Sequence, residues 1–209
     1  TAGTHSYLKN NMATVGAAGA LWLQSGGSLT VSGADTMLSI INNTATTSGG
    51  GVLVKLSALV MVNSGARLDI SANKAQTSGG GIFCDGKGTS LEIMGAGTQV
   101  EVHGNSAPQH GGGLLLESAG AVNVLEGASL NVSSNFASYG AGISMQNSGT
   151  VVNITGIKSH LLVGANVATL VGGGILINTG ATVTVSARGR IDVATNKSSN
   201  CNKKYEQRY

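Results

Sequence analysis

The chain has 209 residues, enough for one substantial core, and its 41% apolar and 10% charged content excludes disorder. Glycine occurs 33 times, proline once, and the net charge is +3. The basic residues are scattered until Lys203, Lys204 and Arg208, a run too short for a nucleic-acid or lipid site, and no apolar run reaches the ~18 residues needed to span a bilayer.

The chain opens at Thr1, with no initiator Met and no basic-then-apolar leader, so a processed or excised part of a longer chain is expected. A weak first copy of a repeat occurs at Asn11. Fuller copies follow at Asn43, Asn73, Asn105, Asn135, Asn166 and Asn196, at intervals of 32, 30, 32, 30, 31 and 30 residues. Asn43, Asn73, Asn105 and Asn166 open a stretch of the form N-x-A-x-x-x-G-G-G before an apolar segment, as from Asn43-Thr44-Ala45 to Gly49-Gly50-Gly51-Val52.

Between these marks, apolar residues recur at i and i+2, the period of a strand. In chain order the pairs are Val60/Val62 and Leu68/Ile70, then Leu91/Ile93 and Val100/Val102. The unit after Gly113 supplies three, Leu114/Leu116, Val122/Val124 and Leu130/Val132. Val152/Ile154 and Leu161/Val163 follow, and the unit after Gly174 ends the series with Ile175/Ile177, Val183/Val185 and Ile191/Val193. Three strands per unit at constant period predict an all-β fold, a right-handed parallel β-helix, three-sided, of about six coils of about 31 residues. One repeat domain is expected over 1–198, with a polar C-terminal tail over 199–209.

In such a coil the asparagines stack into a structural ladder, and the glycines supply backbone conformations that a Cβ forbids. The Gly triplets are not phosphate cradles, because no Lys-Ser or Lys-Thr follows them.

The motif Φ-x-x-N-x-A-x-x-x-G-G-Φ resembles the repeat of the polymorphic outer membrane proteins of chlamydiae, which joins F-x-x-N to G-G-A-[ILV]. The matching segments are Ile40 to Asn43, Ile70 to Asn73, Val102 to Asn105, Val132 to Asn135 and Val163 to Asn166, with glycines at 49–51, 79–81, 111–113 and 172–174. The similarity covers about residues 8–198, with Ile, Val or Leu where the family has Phe. It implies an autotransporter-passenger-like β-helix, displayed at the cell surface and acting as an adhesin.

Function is expected on outward positions, because the interior is committed to packing. The second sheet is expected to present Thr30, Met61, Glu92, Asn123, Asn153 and Thr184, and the third Ser39, Asp69, Glu101, Asn131, Leu162 and Asp192. The first sheet differs: Leu21, Leu53, Phe83, Leu115 and Leu176, with Ser144 among them, form an apolar outward stripe. A lateral interface is therefore expected there, with a protein partner or by self-association, unless another segment covers it. Sequons place possible N-glycosylation at Asn42, Asn131, Asn153 and Asn196.

Asp69 and Glu101 stack on adjacent coils, a spacing suited to Ca²⁺ or to a retaining glycoside hydrolase. His103 and His110 form a pair without a third ligand, and His5 and His160 stand alone, so no metal site is assigned. No Ser-His-Asp set is assigned either. Cys84, expected in an inward column beside Val54 and Leu116, reads as a buried thiol, and Cys84 with Cys201 has no metal-ligand spacing. No cofactor is expected. The leading expectation is a non-catalytic extracellular or cell-surface rod acting in adhesion or as a building block of a surface assembly, with a host-surface or glycan ligand. A structural filament joined through the apolar sheet is the second, and a polysaccharide-active enzyme using Asp69 and Glu101 the third.

Overall fold

A computed structural model describes residues 3–199. Cys201 and the rest of the expected tail from residue 200 onward lie outside the described residues. Among the described residues every named element is a strand and every strand pairing is parallel. The chain coils as a β-solenoid of about six turns roughly 31 residues apart, so that each strand lies beside its counterpart one repeat away.

The three expected sheets are present. The first has six strands, from Leu21–Leu23 through Val52–Lys55 and Leu114–Glu117 to Ile175–Ile177. The second also has six, from Ser28–Ser32 to Thr182–Ser186, and the third has seven, from His5–Lys9 to Arg190–Ala194. Inward Val, Ile and Leu from all three meet in one core running along the coil axis, with Ile40, Leu68, Ile93, Leu116 and Leu130 among its largest buried members. Their branched side chains suit a stacked surface buried on its inner side.

A fourth, narrower side was not expected. Thr44–Ala45 pairs with Met12–Ala13 and Lys74–Ala75, and Phe136–Tyr139 pairs with Val167–Val171, which pairs in turn with Lys197–Ser198. Ser106 bridges Lys74 to Phe136 and so joins the two halves. Four of these strands bury one alanine each, Ala45, Ala75, Ala137 and Ala168, and Ala107 is buried next to the Ser106 bridge. A single buried methyl produces no i, i+2 apolar pair, which is why the strand period is silent here.

The corners are made by backbone in the left-handed region. The residue before each ladder asparagine has positive φ at Asn10, Asn42, Ala72, Gly104, Ser134, Ala165 and Thr195. Elsewhere two successive residues do so, as at Ser64–Gly65 and Glu126–Gly127, turns that lead the chain from the second sheet to the third.

Candidate functional site

The asparagine column is the most fully bonded feature of the molecule. The Asn105 side-chain oxygen accepts from the Asn73 backbone N–H at 2.9 Å and from Asn73 Nδ2 at 3.0 Å. Asn105 Nδ2 donates to the Ile70 carbonyl at 2.9 Å and to the Asn135 side-chain oxygen at 3.1 Å. The same pattern joins Asn43 to Asn73, Asn135 to Asn166 and Asn166 to Asn196. Asn43, Asn73, Asn105, Asn135 and Asn166 are buried, so the ladder is an internal strut and not a surface for a ligand.

The apolar stripe of the first sheet requires two corrections. Leu21 is not in it: Leu21 pairs with Val52 in an inward-facing column, and Trp22 pairs with Leu53. The turn between Asn11 and the left-handed Ala18 is one residue longer than that between Asn43 and Gly49, and a one-residue slip sends a strand side chain to the opposite face.

Second, the stripe is closed over its middle and open at its start, where Trp22 is 53% exposed. Leu53, Phe83 and Leu115 are between 1 and 8% exposed and pack together with Ala17 and Ala18, while Leu176 is half-buried. The cover comes from the turns of the same coils. Each turn presses so closely on the strand after it that a Cβ on Gly49 would lie 2.9 Å from Leu53 Cβ, and one on Gly79 would lie 2.7 Å from Phe83 Cβ. Both glycines also have positive φ, so the G-G-G signature is the seal of this second, smaller core.

The outward columns of the second and third sheets fall where expected. Asp69 and Glu101 are direct neighbours, but each faces a base: His103 Nε2 lies 3.2 Å from Asp69, and Arg67 lies 3.9 Å from Glu101. The His103 contact is within ion-pair reach yet leaves that buried Asp69 oxygen without a well-directed hydrogen bond. His160 Nε2 and Arg190 both reach Asp192, at 2.9 and 2.7 Å, and chiefly the Arg190 hydrogen bond holds the Asp192 carboxyl below its usual range. The Ser39 hydroxyl lies 2.9 Å from His5 Nε2, whose Nδ1 lies 3.0 Å from the Tyr7 hydroxyl, but Ser39 is buried and closed to a substrate. Cys84 sits in the core between Val54 and Leu116, where burial first and Asp85 second push its thiol up to about 12.

Of the sequons, Asn42 is exposed with its amide bonded to Asn10 at 2.9 Å, and half-buried Asn153 donates to Asn123 at 2.8 Å. Asn131 is half-buried in the third sheet. Asn196 is a rung of the ladder and donates its amide to the Val163 carbonyl, so its expected role as an open acceptor gives way to a structural one. Among the described residues no group of three or more His, Cys, Asp or Glu could hold a metal ion, and no helix is long and apolar enough to cross a membrane.

The surface missed by the strand period is the fourth side. Its outward column runs Met12, Thr44, Lys74, Ser106, Phe136, Val167 and Lys197. Phe136, Val167 and Val171 are between 39 and 46% exposed. Beside them the His110 and Tyr139 rings stack at 4.9 Å between centroids with 19° between planes, and burial lowers the His110 pKa. One available signal was charge: the segments 11–20, 43–51, 73–81, 105–113, 135–142, 166–174 and 196–199 contain no Asp or Glu. Comparison with family models, with curated proteins and with solved structures finds no match to this chain.

Proposed function

We propose that this protein is a non-catalytic β-helical rod of the extracellular space or cell surface, acting in adhesion or as a building block of a surface assembly. The observation that carries this reading is the fourth side, where exposed Phe136 and Val167 stand side by side on adjacent coils, with Val171 further along the strand of Val167, on a backbone braced by the asparagine ladder. A stiff support presents such side chains to a macromolecular partner without ordering them on contact, which lowers the entropic cost of binding. With Leu53, Phe83 and Leu115 buried, the filament reading is left with the ends of the stripe, exposed Trp22 and half-buried Leu176. The Asp69–Glu101 pair remains the place to test for sugar cleavage.

Beads carrying the protein, settled on cultured animal cells and separately on a layer of the same protein, test the proposal. Retention on cells supports adhesion, and retention on the protein layer supports assembly. Phe136→Ser with Val167→Ser should reduce whichever occurs while the β-sheet circular dichroism stays unchanged. Absence of retention on both surfaces overturns the reading, as does polysaccharide cleavage lost in Asp69→Asn with Glu101→Gln.

A further inference from the structure

The fourth side is interrupted at one place. Its ladder is continuous at Thr44–Ala45 and Lys74–Ala75 but is reduced to single bridges at Ser106, and Pro108 two residues on has no N–H to give. Along the column a short serine therefore stands between two long side chains, Lys74 on one coil and Phe136 on the other. Those two residues are two strand spacings apart, about 9–10 Å along the axis. Between them lies a hollow of about 390 Å³, bordered also by Gln76, Ala107 and Pro108.

Three properties of the hollow select its occupant. Phe136 offers a half-exposed ring whose negative face attracts polarised C–H groups. Gln76 and Ser106 are the uncharged polar residues bordering an otherwise mostly apolar lining, and an amide and a hydroxyl can each donate and accept. Lys74 makes no ion pair among the described residues, and the repeat segments forming this side carry lysine and histidine but no carboxylate. A ligand that fits is a compact ring with C–H groups on one face, several hydroxyls at its edge and one negative charge.

We propose that this hollow binds an acidic sugar residue of the hexuronate class, with its ring on Phe136, its hydroxyls toward Gln76 and Ser106 and its carboxylate on Lys74. The site deepens the adhesive reading and rests on it: the rod would take hold of acidic polysaccharide through one residue per hollow. The volume lies at the lower end of small-molecule sites, in keeping with a single ring. With one charge-assisted contact and an open mouth, the affinity for one residue is weak, and tight attachment comes from many rods on one polymer.

The test is an NMR titration of ¹⁵N-labelled protein with a glucuronate-containing disaccharide, beside the neutral analogue in which the carboxylate is reduced to the alcohol. Saturable shifts confined to residues 74–76, 106–107 and 136 are expected, with about tenfold weaker binding of the neutral analogue. Lys74→Met should reproduce that loss, and Ser106→Leu should fill the hollow and abolish the shifts, with the remaining spectrum unchanged in both. Equal binding of the two sugars, shifts elsewhere, or none at millimolar sugar would overturn the site. The bead assay separates the two readings: retention that survives Lys74→Met leaves the adhesive rod standing without this site. Retention competed by an acidic peptide, but not by the sugar, points to a protein ligand and likewise overturns the sugar.

Discussion

Asparagine suits the ladder because one planar side chain carries an acceptor with two lone pairs and two donors, and a stacked corner calls for all of them. Removing the Asn105 side chain takes away the acceptor for both the backbone and the amide of Asn73 and leaves the Ile70 carbonyl short of a donor. Each buried polar group so orphaned costs about 1–3 kcal/mol, so Asn105→Ala should lose about 3–5 kcal/mol in urea unfolding, whereas Thr30→Ala on the exposed second sheet should change stability by under about 0.5 kcal/mol. His110 gives a pH signature. Burial lowers its pKa from 6.5, so below that pH the unfolded chain binds more protons than the folded one, and stability falls with acidification until the folded pKa is passed. His110→Gln should remove this component, seen as a smaller drop in Tm than wild type as the pH is lowered from 6.5. The ladder asparagines were legible from spacing alone. The stacked partner of His110, Tyr139, was not, because the turn after Asn135 is one residue shorter than that after Asn105 and the counting of positions slips.

At the scale of the element, the glycines do two separate jobs. The first of each triplet turns left-handed and seals the outer face of the next strand, while the second permits contact between neighbouring coils. A Cβ on Gly80 would lie 2.5 Å from both the Ser106 and Gly112 carbonyl oxygens, which are backbone atoms held by their own ladder. Gly80→Ala should therefore destabilise by about 2–4 kcal/mol, at the upper end of single substitutions, with a readout in the urea midpoint. This dual packing answers why the first sheet is apolar on both faces. Its strands read as covered strands, and the sequence supported that much. The identity of the cover was hidden, since whether a turn folds back onto the strand after it depends on φ at Gly49 and Gly79 and not on hydropathy.

Across the molecule, each coil touches chiefly its neighbours, so stability is shared along the axis and not from end to end. The middle coils bury their inward residues fully, whereas Val185 and Val193 in the last strands of the second and third sheets are 42 and 52% exposed. Hydrogen exchange on the 209-residue chain should thus show the greatest protection at strands such as Leu68–Ile70, Val100–Val102 and Leu130–Val132, falling toward Leu29–Val31 and toward Val183–Val193. Uniform protection along the axis would instead indicate one all-or-none unit.

By itself the sequence determined the period, the parallel stacking, the three long sheets, the asparagine ladder and the buried place of Cys84. All of these follow from alternation and repetition, which act locally and are written residue by residue. The tertiary structure alone decided that the apolar stripe is sealed over Leu53, Phe83 and Leu115, that Trp22 and not Leu21 begins its column, and that a fourth side exists with a hollow between Lys74 and Phe136. Those outcomes depend on how turns of five, six or seven residues fold against strands one coil away, and such contacts leave no period in the chain that makes them.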